Sequence, residues 1–179
     1  MGNAAPQTAW SLDRTTTLDV ESRALKLLER YRLLTVPVDV LLLAEKMGIQ
    51  VFKATFEDEG ISGGTEKISE RRGKIWVNRF ESEPRQRFTI AHEIGHWVMH
   101  MRSGDALSEP KQLVEWRKTD APMSERERAA NRFAAALLMP ASLVASARDT
   151  QGSDLSRLAE RFEVSLEAMA IRLRDITEL

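Results

Sequence analysis

Two histidines and a glutamate stand together in AHEIGH, inside the otherwise apolar segment FTIAHEIGHWVMH that begins at Phe88. On a helix, His92 and His96 would lie on one face, about 40° apart around the axis. Two imidazoles on one rigid face are the arrangement that chelates a metal ion. Glu93 would lie about 100° from His92, too far round for a ligand but close enough to contact a water on the metal. The spacing therefore indicates a zinc site for peptide hydrolysis, with Glu93 as general base.

The same string also occurs in proteins that bind no metal, as a partly buried helix whose histidines have other partners. Here the neighbours of the histidines are apolar and predict a core helix: Ile90, Ala91, Ile94, Trp97 and Val98. Gly95 weakens a helix by about 1 kcal/mol relative to alanine. We therefore expect another backbone or a substrate to approach closely at Gly95.

A third histidine, His100, continues the row of His92 and His96. It would lie about 12 Å along the helix axis from His92, so one ion cannot easily be shared by all three rings. The metzincin pattern has a glycine that turns the chain before its third histidine, whereas no glycine lies between His96 and His100. We therefore expect His100 at the rim of the site, in a supporting hydrogen-bond role or in solvent.

A third ligand has to be a histidine or a carboxylate, because the chain contains no cysteine. In SERERAANRFAAALLMP, Glu127 lies on the helix face that ought to be buried, while Glu125 points the other way. That face also carries Ala130, Ala134 and Leu138. Glu127 is therefore the candidate third ligand.

Two neighbours of Glu127 bear on that role. Asn131 lies one turn further on, where it could hydrogen-bond a ligand histidine and fix its ring orientation. Ser124, three residues before Glu127, gives the alternative of a capping box, which needs no metal. The sequence leaves the ligand and the capping interpretations open.

The elements around these residues predict an α+β domain. Helices are expected over VESRALKLLERYRL and VPVDVLLLAEKMG, then three strands, IQVFKATFE, ISGGTEKIS and KIWVNRF, in a small antiparallel meander. The third strand is predicted to form a sheet edge to which an extended peptide could add. The motif helix should run from Pro84 to about Arg102. After a surface connection over SGDALSEPKQLVEWRKTDAPM, the Glu127 helix should end before Pro140.

Length and composition are those of one soluble globular domain of 179 residues. We divide it into a polar N-terminal stretch, a metallopeptidase domain and a C-terminal helical tail packed on that domain: 1–20, 21–150 and 151–179. A net charge of -1 disfavours strong non-specific binding of nucleic acid. The N-terminus has no signal-peptide pattern and no apolar run approaches a membrane span, so we expect a cytoplasmic protein without a lipid anchor.

Three segments, RFTIAHEIGHWVMH, ERAANRFAAALLMP and LAERFEVSLEAMAIRL, together resemble the ImmA/IrrE-type zinc metallopeptidases, from about Val36 to Leu173. The resemblance implies a zincin-like domain and Zn²⁺, or another divalent ion such as Mn²⁺, held by His92, His96 and Glu127. It further implies that Glu93 acts in catalysis and that Asn131 matches the asparagine of the family. The implied substrate is a helix-turn-helix transcriptional repressor, cleaved during stress or phage induction.

The tail supports a different hypothesis. LAERFEVSLEAMAIRL reads as two short helices joined at EVS with the apolar spacing of a helix-turn-helix, so the chain could instead regulate by binding DNA or a repressor without proteolysis. Its second helix, however, carries Glu167 near its start, and only Arg172 and Arg174 later. Base readout normally needs donors near that start. We therefore expect a tail that packs on the catalytic domain, and direct DNA binding is disfavoured.

Overall fold

The computed structural model describes residues 14–58, 60–69, 72–101, 114–118, 124–152 and 154–178. Within these ranges the helices are α1 (Arg14–Tyr31), α2 (Val40–Lys46), α3 (Glu83–His96), α4 (Glu125–Leu138), α5 (Ala141–Gln151), α6 (Leu155–Phe162) and α7 (Leu166–Glu178). The strands are β1 (Ile49–Ala54), β2 (Ile61–Ser69), β3 (Arg72–Asn78) and β4 (Val114–Lys118). The α+β class predicted from the sequence is confirmed.

The sheet differs from the predicted antiparallel meander. Its order is β1-β3-β2-β4, and β1 runs parallel to β3, whereas β2 is antiparallel to both β3 and β4. The strand KIWVNRF, β3, therefore has a neighbour on each side, and the prediction that it forms an edge was wrong. The physical reason lies in backbone pairing: β3 packs one face, with Gly73, Ile75 and Val77, on the core, and its N–H and C=O groups are satisfied by β1 on one side and β2 on the other.

Helix α3 lies against β2 and β3, and two glycines make this close packing possible. A Cβ added to Gly73 would lie 2.5 Å from the Trp97 ring, and one added to Gly63 would lie 2.5 Å from the Thr89 methyl group. Trp97 begins a π-helical segment, Trp97–Met101, that continues α3. The α-helix therefore ends at His96, earlier than the predicted boundary near Arg102, although the winding continues to Met101.

Two elements were not predicted. Strand β4 lies inside the stretch that was interpreted as a surface connection, and it pairs with β2. Helix α5 follows Pro140, which serves as its N-cap, so the proline that ends α4 also begins the next helix. Helix α1 begins at Arg14, before the predicted start near Val20. No single described helix is long and apolar enough to cross a bilayer; only α4 and α5 together, across a 43° bend, pass on length and composition.

The tail, α6 and α7, is joined to the rest of the described chain by two arginines, of which Arg172 is buried. Arg172 of α7 is 2% exposed, donates through both terminal nitrogens to the Glu21 carboxylate of α1, and donates from Nε to the Met139 carbonyl at 2.9 Å. Arg87 of α3 pairs with Glu163, which closes α6 in a left-handed conformation with φ of 53°. These contacts link α6 and α7 to α1, to α3 and to the end of α4.

We predict that Arg172→Ala lowers the free energy of unfolding by about 3 kcal/mol, because it leaves the Glu21 carboxylate and the Met139 carbonyl without their donor. Arg174→Ala on the same helix should change it by less than about 0.5 kcal/mol, since that side chain is 66% exposed. Urea unfolding of the two variants measures both values. Equal losses would contradict the assignment of Arg172 as a structural link.

Candidate metal centre

Helix α3 carries the first part of the site. His92 is fully buried, Glu93 is 1% exposed and His96 is 3% exposed, so the motif lies in the core as its apolar neighbours predict. The two ring Nε2 atoms lie 3.0 Å apart. Two imidazole nitrogens at that distance repel each other unless a proton or a metal ion lies between them.

Helix α4 supplies the third group at the same point. The two Glu127 carboxylate oxygens lie 3.1 Å from His92 Nε2 and from His96 Nε2, one oxygen to each ring. The ligand atoms of the three residues all lie within 4.8 Å of one another, an arrangement compatible with a metal site. The structure therefore brings together the two histidines and the carboxylate that the sequence suggested from segments 31 residues apart.

Asn131 lies behind His92. Its Oδ1 is 2.9 Å from His92 Nδ1, and because an amide oxygen only accepts, the proton of that bond is on Nδ1. The His92 Nε2 atom is then directed at His96 and Glu127, where its lone pair is available to a metal ion. This is the geometry that the sequence position of Asn131 suggested.

The capping and ligand interpretations of Glu127 concern different atoms, and the structure shows where each atom lies. The Glu127 backbone N–H donates to Ser124 Oγ at 3.2 Å, which is a side-chain N-cap. The Glu127 carboxylate, however, contacts the histidines, where a capping box would direct it back to the Ser124 backbone. Ser124 thus fixes the first turn of α4, and the Glu127 side chain is free to face α3.

The electrostatics of the cluster follow from these contacts. Hydrogen bonds with His92 and His96 hold the pKa of the Glu127 carboxyl well below its usual range, and partial burial acts more weakly in the opposite direction. An anion beside two buried rings favours a cation at the point they share. The Glu127 side chain is 34% exposed, whereas both rings are buried, so the carboxylate is the most accessible part of the cluster.

The donor set fits Zn²⁺. Two neutral imidazole nitrogens and a carboxylate oxygen are common ligands of a catalytic zinc, which needs three protein ligands and one open position. Ligand atoms held tetrahedrally at about 2.1 Å from a metal lie about 3.4 Å apart. The observed separations of 3.0–3.1 Å lie close to that spacing.

Gly95 explains how the two helices come so close. A Cβ added to Gly95 would lie 3.1–3.3 Å from three atoms of the Phe133 side chain of α4. The sequence predicted a close approach at Gly95 but did not identify Phe133, whose only sequence signal was its place in an apolar run. Since Phe133 is fully buried, this contact sets the distance between the helix of the histidines and the helix of Glu127.

The sequence also singled out Glu125 and His100. Glu125 is exposed, in agreement with its expected outward direction. The His100 backbone belongs to the π-helical segment, but its side chain lies outside the described part of the structure.

Comparison with known proteins identifies the family of this chain. The model of a peptidase family described as the IrrE N-terminal-like domain matches residues 44–174, so the chain belongs to this family, and the resemblance seen in the sequence is confirmed. The chain is similar to the radiation response metalloprotease IrrE of Deinococcus radiodurans, with 34% identity over 106 residues. That match covers 58% of this chain but only 31% of the relative's length.

A solved structure shares the fold. It is described as a Mycobacterium tuberculosis transcriptional regulator and matches with a TM-score of 0.59 over 87% of this chain and 46% of that chain. Its sequence identity of 19% supports a common fold and nothing more specific.

We predict that Glu127→Ala weakens Zn²⁺ affinity by well over tenfold, because it leaves two ligands. Its melting temperature should fall further below that of the parent in zinc than in chelator. Ser124→Ala is the matched control: it should cost about 1 kcal/mol of stability in both conditions and keep metal affinity, since only the cap is lost. Unchanged zinc affinity in Glu127→Ala would exclude Glu127 as a ligand and leave only its part in the N-cap.

Asn131→Ala should weaken Zn²⁺ affinity by about 10- to 100-fold, because the His92 ring loses the acceptor that orients it. Asn131→Asp keeps an acceptor at the same place and should lose much less. Competition titration with a chelating indicator measures both. Equal affinities for the two variants would mean that Asn131 does not orient the ring.

Proposed function

We propose that this chain is a zinc-dependent endopeptidase in which His92, His96 and Glu127 hold the metal and Glu93 is the general base. The observation that carries the proposal is the convergence of two buried imidazole nitrogens and a carboxylate on one point, at separations of 3.0–3.1 Å. Membership of a peptidase family supports the same reaction class.

In this proposal each residue has a distinct task. A Zn²⁺ ion held here would act as a Lewis acid that polarises the scissile carbonyl and acidifies a water molecule. Glu93, adjacent to His92 and 1% exposed, accepts the proton of the attacking water on its carboxylate and then delivers it to the leaving amine. Asn131 keeps the His92 proton on Nδ1. Burial of Glu93 keeps bulk water from competing for its proton.

The proposed substrate is a helix-turn-helix transcriptional repressor, which places the enzyme in the cytoplasm and in transcription regulation under stress. Support comes from the family and from the name of the radiation response metalloprotease to which part of the chain is similar. A repressor is a protein, and a metal-centred hydrolase suits a peptide chain as substrate.

The alternative is a regulator that binds DNA through its tail without proteolysis. One of the few cationic side chains of the tail is unavailable for such binding. Arg172 is buried and bonded to Glu21 and Met139, so it is not available to phosphates or bases. The first turn of α7 presents Leu166, which is 52% exposed, together with the acidic Glu167. An apolar and acidic start does not suit a recognition helix, and we propose that the tail is part of the catalytic unit.

We predict that Glu93→Gln binds Zn²⁺ about as tightly as the parent but loses at least ~10²-fold in peptide cleavage, because the amide cannot accept the proton. The substrate in this assay is the helix-turn-helix repressor encoded nearest to the gene. Discrete fragments should appear with the parent and zinc, and should be absent with chelator or with the variant. Cleavage by a zinc-loaded Glu93→Gln variant would eliminate Glu93 as the base.

A further inference from the structure

Thr89, one turn before the metal-binding motif in α3, has an unusual side chain. It is fully buried, and its Oγ1 atom has no hydrogen-bond partner among the residues that the structure describes. A threonine hydroxyl inside a helix normally donates to the carbonyl three or four residues earlier. A buried hydroxyl without a partner destabilises the fold, so its presence in the core requires an explanation.

The packing of the Thr89 methyl group explains why the hydroxyl does not take the usual bond. The Cγ2 atom lies so close to β2 that a Cβ on Gly63 would be 2.5 Å from it. Because the methyl group is held against Gly63, the χ1 angle is fixed, and the hydroxyl is confined to the directions that remain. Gly63 therefore orients the Thr89 hydroxyl.

Helix geometry identifies the group that this hydroxyl can serve. Glu93 is four residues after Thr89, so the two side chains share a helix face, with Cβ atoms about 5–6 Å apart. Side chains on a helix incline toward its N-terminus, so the longer Glu93 side chain extends over the turn that holds Thr89. Both residues are buried, and in a dry setting a hydroxyl donor near a carboxylate interacts strongly with it.

We propose that Thr89 is a positioning residue that donates a hydrogen bond from Oγ1 to one Glu93 carboxylate oxygen when the metal-loaded enzyme works. This bond leaves the other carboxylate oxygen to accept the proton of the attacking water. The inference rests on the proposed endopeptidase function, in which Glu93 is the base. It also accounts for the cost of the buried hydroxyl, since local violations of packing rules cluster at functional sites.

Three variants test this inference. Thr89→Val keeps the shape but removes the donor, whereas Thr89→Ser keeps the donor. The matched control is Thr65→Val, because Thr65 is an equally buried threonine whose hydroxyl already donates to the Lys74 carbonyl at 3.2 Å. In chelator, Thr89→Val should melt about 2–4 °C higher than the parent, because it removes a hydroxyl that is unsatisfied in the metal-free protein, and Thr65→Val should melt lower.

The direct readout is the Glu93 carboxyl resonance in ¹³C-glutamate-labelled, zinc-loaded protein at fixed pH, assigned by its absence in Glu93→Gln. It should shift in Thr89→Val, shift less in Thr89→Ser, which keeps the donor but loses the methyl group that orients it, and stay unmoved in Thr65→Val. In cleavage assays Thr89→Val should lose about tenfold in kcat with KM and zinc affinity unchanged, and Thr89→Ser, which keeps the donor, should restore part of the rate.

An unmoved Glu93 resonance in Thr89→Val would overturn the proposal, and so would an unchanged kcat in that folded, zinc-loaded variant. If the parent itself cleaves no repressor, the proposed function fails, whereas the carboxyl resonance still decides whether Thr89 bonds to Glu93.

Discussion

The contact between α3 and α4 is the constraint on which the site depends, because it brings three polar side chains into the interior at one point. Burying an imidazole or a carboxylate alone is costly, and the cost falls only when the groups satisfy one another or share a cation. His92, His96 and Glu127 do so at 3.0–3.1 Å. The helices can approach this closely because Gly95 has no side chain to separate it from Phe133.

Around α4, two arginines pair with carboxylates and carbonyls where elements meet. Helix α1 packs along α4, and Arg172 joins α1, α7 and the carbonyl that follows α4. Arg87 does the same between α3, the Val38 carbonyl and the turn after α6. Charged groups fixed in this way restrict how elements can shift, so the position of Glu127 relative to the histidines is supported by residues distant from it.

The helix-turn-helix-like tail shows why a pattern of apolar residues does not establish a function. Apolar spacing indicates that one face of α6 and α7 is buried. The same spacing occurs in a helix-turn-helix that binds DNA with its exposed face and in a helical pair that only packs on a catalytic domain. In this chain a tail arginine is buried against α1, and the residue at the α6–α7 turn is a glutamate that binds Arg87. The family match over residues 44–174 likewise includes the tail.

Much of the site could be predicted from the sequence, because its information is local. Four-residue spacing places His92 and His96 on one face whatever surrounds the helix, and Asn131 follows Glu127 by one turn for the same reason. Apolar periodicity likewise located α3, α4 and the tail helices. Strand order could not be obtained this way, because β1, β2 and β3 have similar strand-forming sequences. Which of them is central depends on how they pair and pack in the folded sheet.

Only the tertiary structure decided the rest, because it depends on contacts between distant segments. Whether the Glu127 carboxylate faces the Ser124 backbone or the two histidines depended on the position of α3, which the sequence does not specify. The partner of Gly95, the burial of Arg172 and the position of the Thr89 hydroxyl are likewise properties of packed pairs. The sequence determined the chemistry that was available, since residue type and helix period are local, and packing determined which atoms meet.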